Sequence, residues 1–313
     1  MTADSPIPET AEVEEAAAPA CVMSFNGSDP SGAGGIAGDV ATIAAMGAHA
    51  LPIVTGILMR DTHEVFDHHA IDADVIAEQA RNILEDVTIA AWKVGYLGST
   101  EGVSTVAEIL SDYPDVPLVA YMPNLSWMEE DDLQGYLDAF RELVLPQTEV
   151  LVGSHQTLTD FLLPDWDNER PASPRELAVA AGEHGARFVL VTSVPLPDQF
   201  LDNVLASPQG AITGEKFERF EAAFVGAGDT LAAALAALLA SGAELTAAVG
   251  EALAFLDQAL DAGFRPGMGN VVPDRFFWAL PPGSEEEEDE AAPPIDEPAA
   301  EETELPKSPR HVH

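Results

Sequence analysis

The chain has 313 residues, 47% of them hydrophobic, and carries 54 acids against 13 bases for a formal net charge of −41. That length suits one large α/β domain or two smaller ones with a sizeable core, and the charge argues against nucleic acid or an anionic membrane as partner. A single cysteine, Cys21, excludes an intrachain disulfide and a cysteine-based metal site.

Residues 1–20 hold five acids and no base, unlike a basic secretory leader. They read as a disordered acidic segment. No run of about 18 apolar residues follows, so a cytoplasmic location is expected. Cys21–Phe25 reads as a strand that feeds a glycine-rich loop, Asn26 to Asp39. Gly38–Met46 reads as a helix that Gly47 stops. Ala50–Leu58 is predicted as a strand, Asp74–Leu84 as a helix, Ile89–Val94 as a strand and Val103–Leu110 as a helix. Pro117–Tyr121 reads as a strand, and Leu133–Leu143 as a helix whose acidic approach, Glu129–Asp132, suits the positive end of the dipole. Glu149–Val152 and Phe188–Thr192 are predicted strands flanking a helix over Pro174–His184. Two long helices follow at 229–241 and 245–260. Residues 281–313 carry eleven acids and two bases among prolines and alanines and read as a solvated tail. Even so, 21–280 retains 38 acids against 11 bases, a net of −27.

Alternation of strands and helices predicts a mostly parallel sheet covered on both faces. Ligands in such sheets sit beyond the carboxyl ends of the strands, where both glycine runs fall. The second run, Gly226-Ala227-Gly228-Asp229, opens an Ala/Leu-rich helix. Glycines let the backbone amides of Gly226, Ala227 and Gly228 turn together, and the helix adds its free N–H groups and positive dipole end, giving an anion hole. Asp229 at its mouth reads either as the cap of its own helix or as a base accepting a proton from an attacking hydroxyl. Lys93 reads as a partner for phosphate or, in so acidic a chain, as half of a salt bridge. His63, His68 and His69 cluster with Glu64 and Asp67 but lack the i, i+4 spacing of a helical zinc site, and no resident metal is expected.

Taken together, these runs resemble the hydroxymethylpyrimidine kinase branch of the ribokinase-like superfamily. That family's opening pattern, Gly-Ser-Asp-Pro-Ser-Gly-Gly-Ala-Gly-Ile-Gln-Ala-Asp, is matched without a gap by Gly27 to Asp39, with Ala33 and Gly34 exchanged and Ala37 and Gly38 substituted. Thr42, Met46-Gly47, Val54-Thr55-Gly56 through Asp61-Thr62, Trp92 to Leu97, Gly226 to Asp229, and Gly267 to Val271 with Phe276 and Trp278 continue it across about 21–280. The resemblance implies a three-layer α/β/α sandwich and a kinase that uses ATP and Mg²⁺ to phosphorylate the hydroxymethyl group of a pyrimidine-like thiamine precursor. It implies Asp229 as base and Gly226–Gly228 as the phosphoryl cradle. Gly27, Asp39, Arg60 and Tyr96 fall at the substrate, and Lys93 and Thr192 on the nucleotide side. Kinship also allows a homodimer.

Several positions depart from the pattern. Arg60 stands where the family has a ring-reading Gln and is available to pair with phosphate or Asp61. Asp229 replaces the usual Cys, as in sugar kinases and many pyridoxal kinases. Ser154 to Leu158 lacks the Glu of Pro-Asn-x-x-Glu, Thr192 to Pro195 lacks the Lys of Lys-Gly-Gly-His, and Tyr121 to Asn124 replaces Asp-Pro-Val-Met. Two further readings therefore stay open: a small-molecule sensor with decayed nucleotide binding, and a kinase of pyridoxal.

Overall fold

A computed structural model describes residues 18–279; nearly all of the acidic segment expected at 1–20, and the whole of the tail expected at 281–313, lie outside the described residues. The central sheet has nine strands in the order β3-β2-β1-β4-β5-β6-β7-β8-β9. These are β1 Cys21–Ser28, β2 His49–Arg60, β3 Val65–Ala70, β4 Ala91–Val94, β5 Leu118–Tyr121, β6 Val150–Ser154, β7 Phe188–Pro195, β8 Phe200–Ser207 and β9 Gly210–Glu218. The six strands from β2 to β7 in that order pair in parallel, while β3 and the β8–β9 ribbon join antiparallel.

Short β4, buried at every position including Lys93, shows that the middle strands are buried on both faces: helices cover each side. One core packs α2 Ala73–Leu84, α3 Thr100–Ser111, α4 Glu130–Ala139, α5 His155–Leu162 and α6 Pro174–Glu183 on one face. The other packs α1 Gly35–Ala45, α7 Ala227–Ala240 and α8 Leu245–Asp261 on the opposite face. Helix α7 is buried at every position from Thr230 to Leu238; alanines let it lie close against the sheet.

Strand β1 runs three residues beyond its predicted end, and α1 begins three residues before its predicted start. The sequence around Gly34-Gly35 has no capping side chain to mark a helix start. Helix α4 continues as a π-helical turn, Phe140–Val144, which runs one residue past the predicted end at Leu143. Strands β3, β8 and β9 and helix α5 were not expected from the sequence. The described residues up to Phe277 form one compact unit, and beyond it only Trp278 and Ala279 are described. No helix among the described residues is long and apolar enough to cross a membrane.

Candidate active site

Both glycine runs meet beyond the carboxyl ends of β1, β4 and β5. The loop after β1 enters α1 at Gly35, and α7 begins beside it behind Gly226, which caps the helix in the left-handed region at φ 87°. A Cβ at position 226 would lie 1.7 Å from the Ala33 carbonyl oxygen. Gly226→Ala is therefore expected to cost about 1–2 kcal/mol in backbone conformation alone, and more as α7 is forced off the first loop. A urea-unfolding midpoint unchanged from wild type would contradict that contact.

Asp229 does not cap its own helix, since α7 has no side-chain cap. Its carboxylate crosses to the other run: Oδ2 accepts from Gly35 N–H at 3.1 Å, at the first turn of α1. Oδ1 accepts from Lys93 Nζ at 2.7 Å and from Asn26 Nδ2 at 2.8 Å. Two helix N-termini thus converge on one carboxylate, which keeps 15% of its side chain exposed. Burial pushes its pKa up, but the Lys93 charge, the Gly35 amide and Asn26 outweigh that and hold it below its ordinary value.

Lys93 is fully buried on β4. Its Nζ also lies 2.8 Å from Asp39 Oδ1 and 3.0 Å from Oδ2. Burial alone would lower the lysine's pKa; Asp229 and Asp39 more than reverse it. Asp39 itself is pushed up, first by burial and then by Asp229, with Lys93 opposing. Ser24 Oγ at 2.6 Å and Asn26 Nδ2 at 2.9 Å complete its shell. This corrects two expectations. Asp39 has no exposed surface and faces Lys93, Ser24 and Asn26, so it does not present a carboxylate to a substrate ring. Lys93 is the buried half of the salt bridge and does not line the cavity on the other side of Gly228.

At the end of β1, Gly27 is buried beneath the Tyr96 ring, whose Cδ1 lies 3.2 Å from where a Cβ at 27 would be. The Gly27 and Tyr96 amides both donate to Asn26 Oδ1, at 2.9 and 3.0 Å. Asn26, which the sequence did not single out, is therefore the hub that ties β1, β4 and α7 together. Tyr96 donates its hydroxyl to Gly98 O at 2.6 Å and contacts His68 Nδ1; Trp127 packs edge-on against both rings. His68 thus belongs to an aromatic wall, and among the described residues no three His, Cys, Asp or Glu side chains are arranged to hold a metal. Arg60 reaches Asp29 rather than the Asp61 carboxylate, Nη1 to Oδ2 at 3.6 Å, and donates through Nε to the Asp61 carbonyl at 2.9 Å. The Asp61 carboxylate instead accepts from the His63 and Glu64 amides, closing the β2–β3 turn.

On the other side of Gly228 lies a cavity of about 410 Å³ between β7–β9 and α7–α8, lined by Thr192, Asn203, Phe217, Phe224, Leu256 and the backbone of Ala227 and Gly228 among others. The Tyr121 phenol packs directly on Gly228, where a Cβ would come within 2.4 Å of its hydroxyl. Burial, then Asp229 and Asp39, push the phenol's pKa up, so it stays a neutral donor. Arg275, also unanticipated, lies beneath both runs, 5% exposed. Apart from its place directly before the resembling segment's Phe276, no sequence signal marked it.

A profile of the phosphomethylpyrimidine kinase family matches residues 29–274. The chain is 32% identical over 267 residues to the hydroxymethylpyrimidine/phosphomethylpyrimidine kinase of Mycobacterium tuberculosis, covering 80% of this chain and 92% of that one. It is 32% identical over 248 residues to the thiamine biosynthetic bifunctional enzyme of Arabidopsis thaliana, covering 77% of this chain, and it spans 46% of that longer protein. In fold it is similar to the pyridoxal kinase of Bacillus subtilis, solved as an ADP complex, with a TM-score of 0.75 at 22% identity over 84% of this chain and all of that one.

Proposed function

The chain belongs to the phosphomethylpyrimidine kinase family, and from that premise we propose that it transfers the terminal phosphoryl group of ATP to the hydroxymethyl group of a pyrimidine-like thiamine precursor. One observation carries the reading. Asp229 accepts from Gly35 of the first glycine run and directly follows Ala227 and Gly228, which line the 410 Å³ cavity, at the start of α7.

The base and ribose of ATP occupy the cavity with Thr192, and the terminal phosphate reaches the Ala227 and Gly228 amides. There the free N–H groups and the dipole of α7 receive charge as it spreads over the phosphoryl oxygens. The substrate hydroxyl attacks phosphorus, the bond to the β-phosphate oxygen breaks, ADP leaves, and the hydroxyl proton passes to Asp229. An acidic, ion-paired carboxylate is a weak base before attack. The transferring group is loosely bonded in the transition state, so the proton moves late, when the alcohol oxygen is already acidic. Lys93 stays protonated throughout and keeps Asp229 ionised and aimed.

Around the cradle the donor set does not fit a protein-held Mg²⁺. Asp29, Asp39 and Asp229 are each engaged by protein cations or amides, and Tyr121 and Leu158 stand where the resemblance would place acids. Mg²⁺ enters as the counter-ion of the triphosphate, and no step is derived through it.

The substrate ring is read without Asp39: by the Tyr96–His68–Trp127 wall, with Arg60 at its rim. Arg60 also favours a second acceptor, pyridoxal, because a guanidinium cannot accept the ring hydrogen bonds that a Gln would. Purified protein with Mg–ATP is expected to release ADP in proportion to phosphorylated hydroxymethylpyrimidine. Phosphorylation of pyridoxal alone would move the reading to the second acceptor. No product from either alcohol would overturn it.

A further inference from the structure

The cradle's charge balance needs a cation beyond Lys93 and Arg60. Three carboxylates, Asp29, Asp39 and Asp229, crowd the two glycine runs, and Lys93 and Arg60 neutralise only two of them. A site left at −1 inside a domain of net charge −27 would repel a triphosphate. The Lys that the resemblance would place in the segment at Thr192–Pro195 is absent from this chain.

Arg275 is buried with no carboxylate within ion-pair distance among the described residues. Its fork is spent on neutral oxygens from both runs. Nε donates to Thr230 Oγ1 at 3.0 Å, Nη1 to Gly32 O at 3.5 Å, and Nη2 to Ala33 O. Cβ atoms built on Gly38 and Gly226 would lie 3.0 and 3.1 Å from Nη2, so the guanidinium is pressed against the backbone of α1 and of the start of α7. Thr230 in turn donates to Gly226 O at 2.8 Å, which links the arginine to the residue that turns the cradle. A buried cation whose hydrogen bonds go to carbonyls and a hydroxyl is in no direct ion pair, so its charge acts across both runs, on Asp229, Asp39 and Asp29 together.

We propose that Arg275 is the positioning residue that charges the phosphate cradle of this chain, setting the potential at the Gly226–Gly228 amides and locking the two glycine runs together. It replaces from below the phosphate-side lysine that the nucleotide edge lacks. The assignment rests on the kinase reading.

The test measures binding of Mg–ATP, of inorganic tripolyphosphate and of adenosine by calorimetry to the full chain, with Arg275→Gln and Arg275→Lys. Glutamine keeps amide donors and loses the charge; lysine keeps the charge and loses the fork. Arg275→Gln is expected to weaken ATP and tripolyphosphate by about tenfold or more and to leave adenosine within about twofold, and Arg275→Lys to retain most of the polyphosphate affinity. Equal affinities for all three ligands in both variants would overturn the assignment. So would parallel loss of adenosine and ATP in both, which is what a brace without an electrostatic part would give. If Arg275→Gln does not fold, loss of polyphosphate binding in a folded Arg275→Lys overturns it and retention supports it. A wild type that binds neither ATP nor tripolyphosphate overturns the kinase reading together with this assignment, whereas a wild type that binds both beside unaffected variants overturns this assignment alone.

Discussion

Asp229→Asn is expected to lower kcat for phosphoryl transfer by about 10²–10⁴-fold, the range for removing a positioned proton acceptor, while ATP binding survives. Asparagine matches the shape but not the lone-pair pattern. Oδ1 takes hydrogens from Lys93 and Asn26 while Oδ2 takes one from Gly35, so an amide placed either way sets a donor against a donor. Lys93 keeps Asp39 as a partner, and the fold is expected to hold. Steady-state kinetics beside calorimetric ATP titration separates the two effects. A variant whose kcat stays within tenfold of wild type would show that the proton leaves by another route.

Lys93→Met is the substitution with the largest expected effect on stability. It leaves two carboxylates, one wholly buried, facing each other without a cation, and removing one partner of such a cluster costs about 3–5 kcal/mol. The loss depends on pH in a fixed sense. Without the Lys93 charge, burial and the repulsion of Asp229 push the Asp39 carboxyl further above its ordinary range, and Asp229 loses the strongest group that holds it down. A raised pKa favours the fold below the unfolded value and penalises it as pH rises through the folded one. The difference from wild type is therefore largest near neutrality and narrows on acidification. Wild-type Asp229, whose pKa is lowered, behaves oppositely: its contribution is present above about 3.8 and is lost as pH falls through the folded value. Urea unfolding at several pH values reads both trends. A variant as stable as wild type near pH 7 would mean that the cluster is not closed to water.

Much of this site could be read in the sequence because its devices are backbone devices. Gly27 to Asp39 and Gly226 to Asp229 announce loops that turn amides toward a ligand, and the parallel βαβ rhythm says that both lie at one end of the sheet. What escaped was which way side chains face. Asp39 lies one turn into α1, and only the packing of α1 against β1 and β4 turns it onto Lys93 instead of toward a ligand. Arg60 finds Asp29 because β1 and β2 are neighbours in space. Asn26 and Arg275 act over separations of 203 and 242 residues, which local pattern does not encode. The missed strands have local causes too. In β3, Asp67, His68 and His69 are poor strand formers held by pairing with β2. In β9, Glu215, Lys216 and Glu218 sit on an edge that faces solvent and reads as loop.

The most direct test is a crystal structure with a non-hydrolysable ATP analogue and the pyrimidine alcohol bound together. The expected result is a base in the 410 Å³ cavity, a terminal phosphate on the Ala227 and Gly228 amides, and the alcohol oxygen within hydrogen-bonding distance of Asp229. A terminal phosphate bound away from the start of α7, or an alcohol out of reach of Asp229, would contradict the account.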